Sequence, residues 1–150
     1  MLNSPVALLI AVAAIGGLPS GASADMLSAT RTVIAIVADE LYIGEAVGHL
    51  SGAGTLMLRS QSNPAVSCRG EFTSNAAQSG SGQLACSDGT AATFQFKRLS
   101  TFTGFGAGNS ALSSLSFVYG LGPIEAAAYL KLPPGKKLTH DGAQLALADL

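Results

Sequence analysis

Short runs in which apolar and polar residues alternate recur along the chain and are separated by glycine, serine and asparagine. Such runs predict short strands joined by turns. In Thr93–Lys97, Phe94 and Phe96 alternate with polar residues, so one strand face should be buried and the other solvated. The predicted strands are Ala29–Ala38, Leu41–Leu50, Gly54–Ser60, Ala65–Thr73, Gly82–Cys86, Ala92–Leu99 and Leu115–Tyr119.

The turn signals between these runs favour antiparallel hairpins. Asp88-Gly89 is the strongest, because a two-residue hairpin turn needs residues that accept positive φ. The sequence therefore predicts a mostly β protein, either an antiparallel sheet of repeated hairpins or a small barrel or sandwich. The segment Phe102–Phe105 is interpreted as part of a glycine-rich loop.

The pattern changes towards the C-terminus. Pro123 at a first helical position, Glu125 in the first turn and three alanines predict a short helix ending before Pro133-Pro134. We expect this helix to pack Ile124, Ala127 and Leu130 on the β core. Residues 135–150 are predicted to be a flexible tail, with one further helical turn as the alternative.

The N-terminal segment has the features of a secretion signal. Residues 1–24 contain no charged side chain, Val6–Ile15 is apolar, and Ala22-Ser23-Ala24 fits the small-x-small pattern of signal peptidase. The apolar run is too short to span a bilayer. We therefore predict a signal helix cleaved before Asp25 and a periplasmic or secreted protein. A short retained membrane anchor is the alternative, because no lysine or arginine precedes the apolar run.

These boundaries divide the chain into three parts: a signal peptide at 1–24, a β domain with a short terminal helix at 25–134, and the tail at 135–150. Cleavage at residue 24 would leave no stable transmembrane span. The net charge is −1, and Lys97-Arg98 and Lys136-Lys137 are isolated basic pairs. This composition argues against a nucleic-acid partner.

The two cysteines, Cys68 and Cys86, are 18 residues apart. In an oxidising compartment such a pair predicts a disulfide, which would stabilise the fold by about 3 kcal/mol in the chain-entropy model. A metal site would need more ligands than two cysteines provide, and no metal or cofactor is predicted.

Pairs of glycines recur with a spacing of 28 and then 24 residues, at Gly52/Gly54, Gly80/Gly82 and Gly104/Gly106. A repeat of this length is typical of stacked supersecondary units. The glycines would let aromatic rings approach closely, and Tyr42, Phe72, Phe94 and Phe96 are the candidates to fill the space. Alternatively, the glycines only make turns in an ordinary small barrel or sandwich.

Residues 68–89, in which Gly70-Glu71-Phe72 precedes Gly80-Ser81-Gly82 and Asp88-Gly89, resemble the MORN repeat, a β-hairpin unit. The resemblance extends from Tyr42 to about Phe117 and implies hairpins, and MORN arrays are associated with membrane proximity, scaffolding and self-association. The whole arrangement also resembles small exported proteins of proteobacteria whose function is unknown.

Few residues indicate chemistry. Glu45 and His49, with Glu40 nearby, could form a carboxylate–imidazole pair for acid–base catalysis, although a surface histidine is the ordinary interpretation. Phe102 and Phe105 could dock a glycan, a lipid or a partner protein, or could instead cap the core.

Two functional hypotheses follow. The first is a non-enzymatic exported β-protein, without cofactor, that binds or scaffolds an envelope protein, glycan or lipid. The alternative is a small hydrolase or lyase that acts on envelope polymers through Glu45 and His49.

Overall fold

The computed structural model describes residues 28–75, 77–109, 114–142 and 144–150. The predicted signal peptide, residues 1–24, lies outside them. Eight strands form a closed antiparallel barrel, a short helix follows, and a separate two-stranded sheet ends the chain. The barrel strands are β1 (Ser28–Val37), β2 (Glu40–His49), β3 (Ala53–Ser60), β4 (Ser67–Ser74), β5 (Ser79–Cys86), β6 (Ala91–Arg98), β7 (Gly104–Asn109) and β8 (Ser114–Tyr119).

Each barrel strand pairs with the strand that follows it, and β8 returns to β1 with Val33 opposite Tyr119 and Val37 opposite Leu115. The prediction of a mostly β, antiparallel hairpin protein is confirmed, and of the predicted architectures the structure adopts the barrel. All seven predicted strands are present. The barrel strand that sequence reasoning missed is β7, which was interpreted as a glycine-rich loop because its GFGAGN sequence has little β propensity.

One hairpin turn lies where no turn was predicted, and another differs in detail from its prediction. The link between β1 and β2 is the two-residue turn Ala38-Asp39, in which both residues have positive φ, at 50° and 65°. By contrast, Asp88 and Gly89 lie within a four-residue loop between β5 and β6. There Gly89 alone has positive φ, and Asp88 Oδ1 accepts a hydrogen bond from the Thr90 amide at 2.9 Å.

Inside the barrel, aromatic rings lie directly over glycines of neighbouring strands. A Cβ atom on Gly54 would fall 2.2 Å from Cζ of Phe72, and one on Gly80 would fall 2.3 Å from Cζ of Phe96. Phe94 lies against Gly82 in the same way. The predicted complementarity of glycines and aromatic rings is thus confirmed for these three phenylalanines, whereas Tyr42 does not lie over a glycine.

The end of the barrel that contains Val37 and Leu115 is filled. Cys68 and Cys86 are opposite each other on β4 and β5 and form the predicted disulfide. Cys68 is fully buried in the core. Nearby, burial raises the pKa of Tyr42, with the charges of Asp88 and Glu40 adding to the increase. Space at this end is taken up by side chains and the covalent link.

From Val33 to Val37 both faces of β1 are buried, which is unusual for a barrel strand. Its outward residues Ile34 and Ile36 form a second core cluster with Leu41 and Val118. The residues after β8 cover this cluster through the helix α1 (Pro123–Ala126) and the hairpin of β9 (Lys136–Asp141) and β10 (Gln144–Asp149). The C-terminal segment therefore acts as an external layer on β1.

This layer corrects two expectations. The predicted helix is present, but it spans four residues, of which Ala126 is buried and Ile124 is 80% exposed. Beyond its end, Ala127 is exposed and Leu130 is buried. The segment predicted to be a flexible tail forms the β9–β10 hairpin instead. Leu138, Leu145 and Leu147 are partly buried against the outer cluster, and this burial stabilises a hairpin that would be marginal alone. Within the described part of the chain, no helix has the length and hydropathy needed to cross a membrane.

We predict that Gly106→Ala destabilises the barrel by about 1–3 kcal/mol, the usual cost of overpacking a core. The new Cβ would fall 2.4 Å from Cζ of Phe117 and 2.5 Å from the carbonyl oxygen of Gln95. Urea unfolding should show a lower midpoint with an unchanged slope.

Gly48→Ala is the matched control. Gly48 also lies on a strand, and its added Cβ would meet only Cζ of Phe72, at 3.9 Å. Its midpoint should stay at or above that of the natural chain. Equal losses of stability in both variants would contradict the role assigned to close glycine–aromatic packing.

Candidate functional site

The second end of the barrel, which we call the mouth, is where β1 begins and β8 ends. The pairing of β1 with β8 starts only at Val33, so Ser28–Thr32 extend beyond the last paired residue of β8. The last residues of β2, β4 and β6 lie at the same end. Because the strands differ in length here, the barrel wall is uneven and its interior is reached from this side.

An apolar cavity of about 110 Å³ opens at the mouth. Its wall combines aromatic and aliphatic side chains of the core with small residues of β1 and β2, among them Ala29, Ala46 and Gly48. The cavity is continuous with the barrel core. Its principal apolar lining residues are Val33, Leu56, Phe72, Phe94, Phe96 and Phe117.

The aromatic residues of the wall are held by contacts with each other. The Phe94 and Phe117 rings meet edge to face with centroids 5.1 Å apart, and those of Phe72 and Phe96 do so at 5.7 Å. Phe96 also meets Tyr119 edge to face at 6.2 Å. Such pairs stabilise by about 0.5–1.5 kcal/mol beyond their buried area, so the cavity has a rigid wall.

Two arginines and a tyrosine form the rim. Arg31 on β1 and Arg98 on β6 occupy inward-facing positions at the strand ends. Tyr119, the last residue of β8, lies between them. Arg98 donates a hydrogen bond to Ser74 Oγ at 3.0 Å, which brings its guanidinium across β5 towards the end of β4. Arg31 donates to the carbonyl oxygen of Thr30 at 2.6 Å.

The loop between β6 and β7 lies over one side of the mouth. It is closed by a hydrogen bond from the Leu99 amide to the Thr103 carbonyl at 2.9 Å and by a contact of 2.7 Å between the hydroxyls of Ser100 and Thr103. The loop places the Phe102 ring 4.1 Å from the Arg31 guanidinium carbon, a cation–π contact. Phe102 nevertheless stays 47% exposed.

The charged side chains that line the mouth cavity, Arg31 and Arg98, are both positive. No aspartate or glutamate lines the cavity, and across the residues that the structure describes the ion pair found is Lys136–Asp149, on the distant hairpin. Burial raises the pKa of Tyr119, and the positive charge of Arg98 opposes the increase. Among the residues that the structure describes, the mouth thus combines an apolar cavity with a positively charged rim.

The structure separates the two phenylalanines predicted as a docking pair. Phe102 lies at the mouth, whereas Phe105 is on the outward face of β7 and packs against Tyr129 with ring centroids 4.8 Å apart. Phe105 belongs to the external layer beside β1. Phe102 is therefore the member of the pair that remains next to a cavity.

Glu45 and His49 share the outward face of β2, as expected from their spacing, and both are exposed. Four residues along a strand separate them by roughly 13 Å, well beyond hydrogen-bonding distance. The structure does not bring these two side chains together. Over the described ranges, no group of three or more histidine, cysteine, aspartate or glutamate residues could hold a metal ion.

Sequence reasoning overlooked Arg31, Arg98 and Tyr119. Arg98 was interpreted as ordinary surface charge, and Arg31 and Tyr119 were given no role. A signal was present, because side chains two residues apart on a strand share a face. Arg31 shares the face of Val33, and Arg98 shares the face of Phe94 and Phe96.

Comparison of the chain with protein-family models, with curated proteins and with solved structures finds no match in any of the three. The resemblance to MORN repeats stays a prediction, although hairpins occupy the whole region that it covers.

We predict that Arg98→Gln shifts the ionisation of Tyr119 to higher pH, because it removes the cation that favours the tyrosinate while burial continues to oppose it. Near-ultraviolet absorbance titration would follow the tyrosines, with Tyr119→Phe identifying the transition.

Arg69→Gln, on the exposed outer face of β4, is the matched control and should leave the Tyr119 transition in place. A transition that moves to lower pH in Arg98→Gln would show that Arg98 does not act on this hydroxyl.

Proposed function

We propose that this chain is an exported binding protein that takes a small apolar molecule into the mouth cavity of its barrel. The cavity itself is the observation that carries the proposal. A folded core normally contains few voids larger than a water molecule, yet this barrel keeps an apolar space of about 110 Å³ that opens to the outside.

The character of the wall supports a ligand in preference to water. Apolar cavities stay dry, and an engineered cavity of roughly 150 Å³ binds benzene. Phe72, Phe94 and Phe117 present rings that are already fixed by edge-to-face contacts. A preformed pocket of this kind loses little conformational entropy when it is filled.

The cysteine pair supports the exported location. Cys68 and Cys86 form a disulfide, and such bonds persist mainly in oxidising compartments. The uncharged segment 1–24 has the features of a signal peptide. We therefore propose a periplasmic or secreted protein, with an envelope protein, glycan or lipid as the source or recipient of its ligand.

The test of the cavity uses benzene as a neutral probe. Binding to the folded state should raise the free energy of unfolding by about 1.4 kcal/mol at ten times the dissociation constant. Ala46→Leu fills the mouth from the inward face of β2 and should abolish this stabilisation. Val47→Leu enlarges the neighbouring side chain on the outward face of β2 and should preserve the stabilisation by benzene.

Gly48→Val is a second cavity-filling variant, should Ala46→Leu fail to fold. If benzene stabilises the natural chain and both filled variants equally, the cavity is not its binding site. If benzene stabilises none of them, the proposed function is wrong.

The export proposal predicts that the mature protein begins at Asp25 and carries both cysteines in oxidised form. Cell fractionation, mass measurement and thiol alkylation of the intact protein would check this. Uncleaved chain in the cytosol with both thiols open to alkylation would contradict it.

A further inference from the structure

We infer that the mouth cavity selects a small amphipathic anion, whose apolar part enters the barrel while its charged group binds between Arg31 and Arg98. This inference rests on the proposed function and adds the chemical class of the ligand. A single aromatic ring or a short acyl chain that bears a carboxylate has the required composition.

The charge of the rim favours an anion. Two arginines, from strands on different sides of Tyr119, occupy inward-facing positions at the ends of β1 and β6, where Arg31 is partly buried and Arg98 is exposed. The cavity wall carries no carboxylate, and neither arginine has an ion-pair partner among the residues described. An anionic ligand would supply the missing charge.

The rim also has hydrogen-bond donors to spare. A guanidinium has five N–H donors in a planar fork that matches a carboxylate. Arg31 directs one of them to Thr30 and Arg98 directs one to Ser74. Phe102 covers a face of the Arg31 guanidinium, and a ring over that face leaves the N–H edges accessible. Donors therefore remain for an anion.

The size of the cavity limits the apolar part of the ligand. The cavity of about 110 Å³ is somewhat smaller than the roughly 150 Å³ space that accepts benzene. A ring or a short chain fills it, while the charged end stays at the rim beside the arginines. Because the site has an apolar interior and a cationic rim, its ligand needs an apolar part and an anionic group in one molecule.

The test compares matched probes on the intact protein by calorimetry: phenylacetate, its neutral isostere phenylacetamide, and inorganic phosphate. We expect phenylacetate to bind at least about tenfold more tightly than phenylacetamide, as expected for a charge-assisted hydrogen bond. Inorganic phosphate should bind more weakly than phenylacetate, because it has no apolar part.

Arg31→Gln and Arg98→Gln should each weaken the binding of phenylacetate by about tenfold. The affinity for phenylacetamide should change by less than about twofold. Arg69→Gln on the outer wall should change neither affinity. A higher salt concentration should weaken the binding of phenylacetate but not that of phenylacetamide, since screening acts on the charged probe.

The outcomes separate the two proposals. Equal binding of phenylacetate and phenylacetamide to the natural chain would overturn this inference while the apolar binding site stands. Binding of inorganic phosphate as tight as that of phenylacetate would also overturn it, because the cavity would not contribute. If phenylacetate, phenylacetamide and benzene all fail to bind, the proposed function fails first. The comparison on the natural chain decides the matter even if an arginine variant does not fold.

Discussion

The interior of an eight-stranded barrel is just wide enough for the side chains that fill it, so a large ring on one strand needs an empty position beside it on the next. In this chain glycine provides that position. Phe72 lies over Gly54, Phe96 over Gly80 and Phe117 over Gly106, each at a distance where no Cβ could be accommodated. The inner cluster of the barrel thereby contains six aromatic residues without tryptophan.

This constraint also explains why the two ends differ. Towards Val37, the interior is closed by Tyr42, Ser60 and the Cys68–Cys86 disulfide, all of which are inward-facing and buried or partly buried. Towards the mouth, Ala29, Ala46 and Gly48 are small, and no ring is pressed against Gly48 as rings are elsewhere. The cavity thus arises at the place where small residues are not compensated by aromatic ones.

Much of this architecture follows from local patterns. Alternation at Phe94 and Phe96 marked the inward face correctly, and the cysteine pair indicated the disulfide. Two features depend on tertiary contacts that no local pattern shows. β7 is a strand because β6 and β8 pair with it on both sides, and the C-terminal leucines form a hairpin because β1 offers them an apolar outer face. The turn at Ala38-Asp39 lacks the glycine or asparagine that usually marks its conformation.

The mouth shows the same division between local pattern and three-dimensional arrangement. The two-residue period of a strand puts Arg31 on the same face as Val33, and Arg98 on the same face as Phe96. It does not show that both arginines lie at one opening, because β1 and β6 are far apart in sequence. Closure of β8 onto β1 brings them to the same end and puts Tyr119 between them. An arginine at that position costs less than it would deeper in the barrel, since its guanidinium reaches solvent while its aliphatic stem covers apolar surface. Over the described part of the chain, the barrel can therefore hold two cations beside an apolar interior with no carboxylate in the cavity wall.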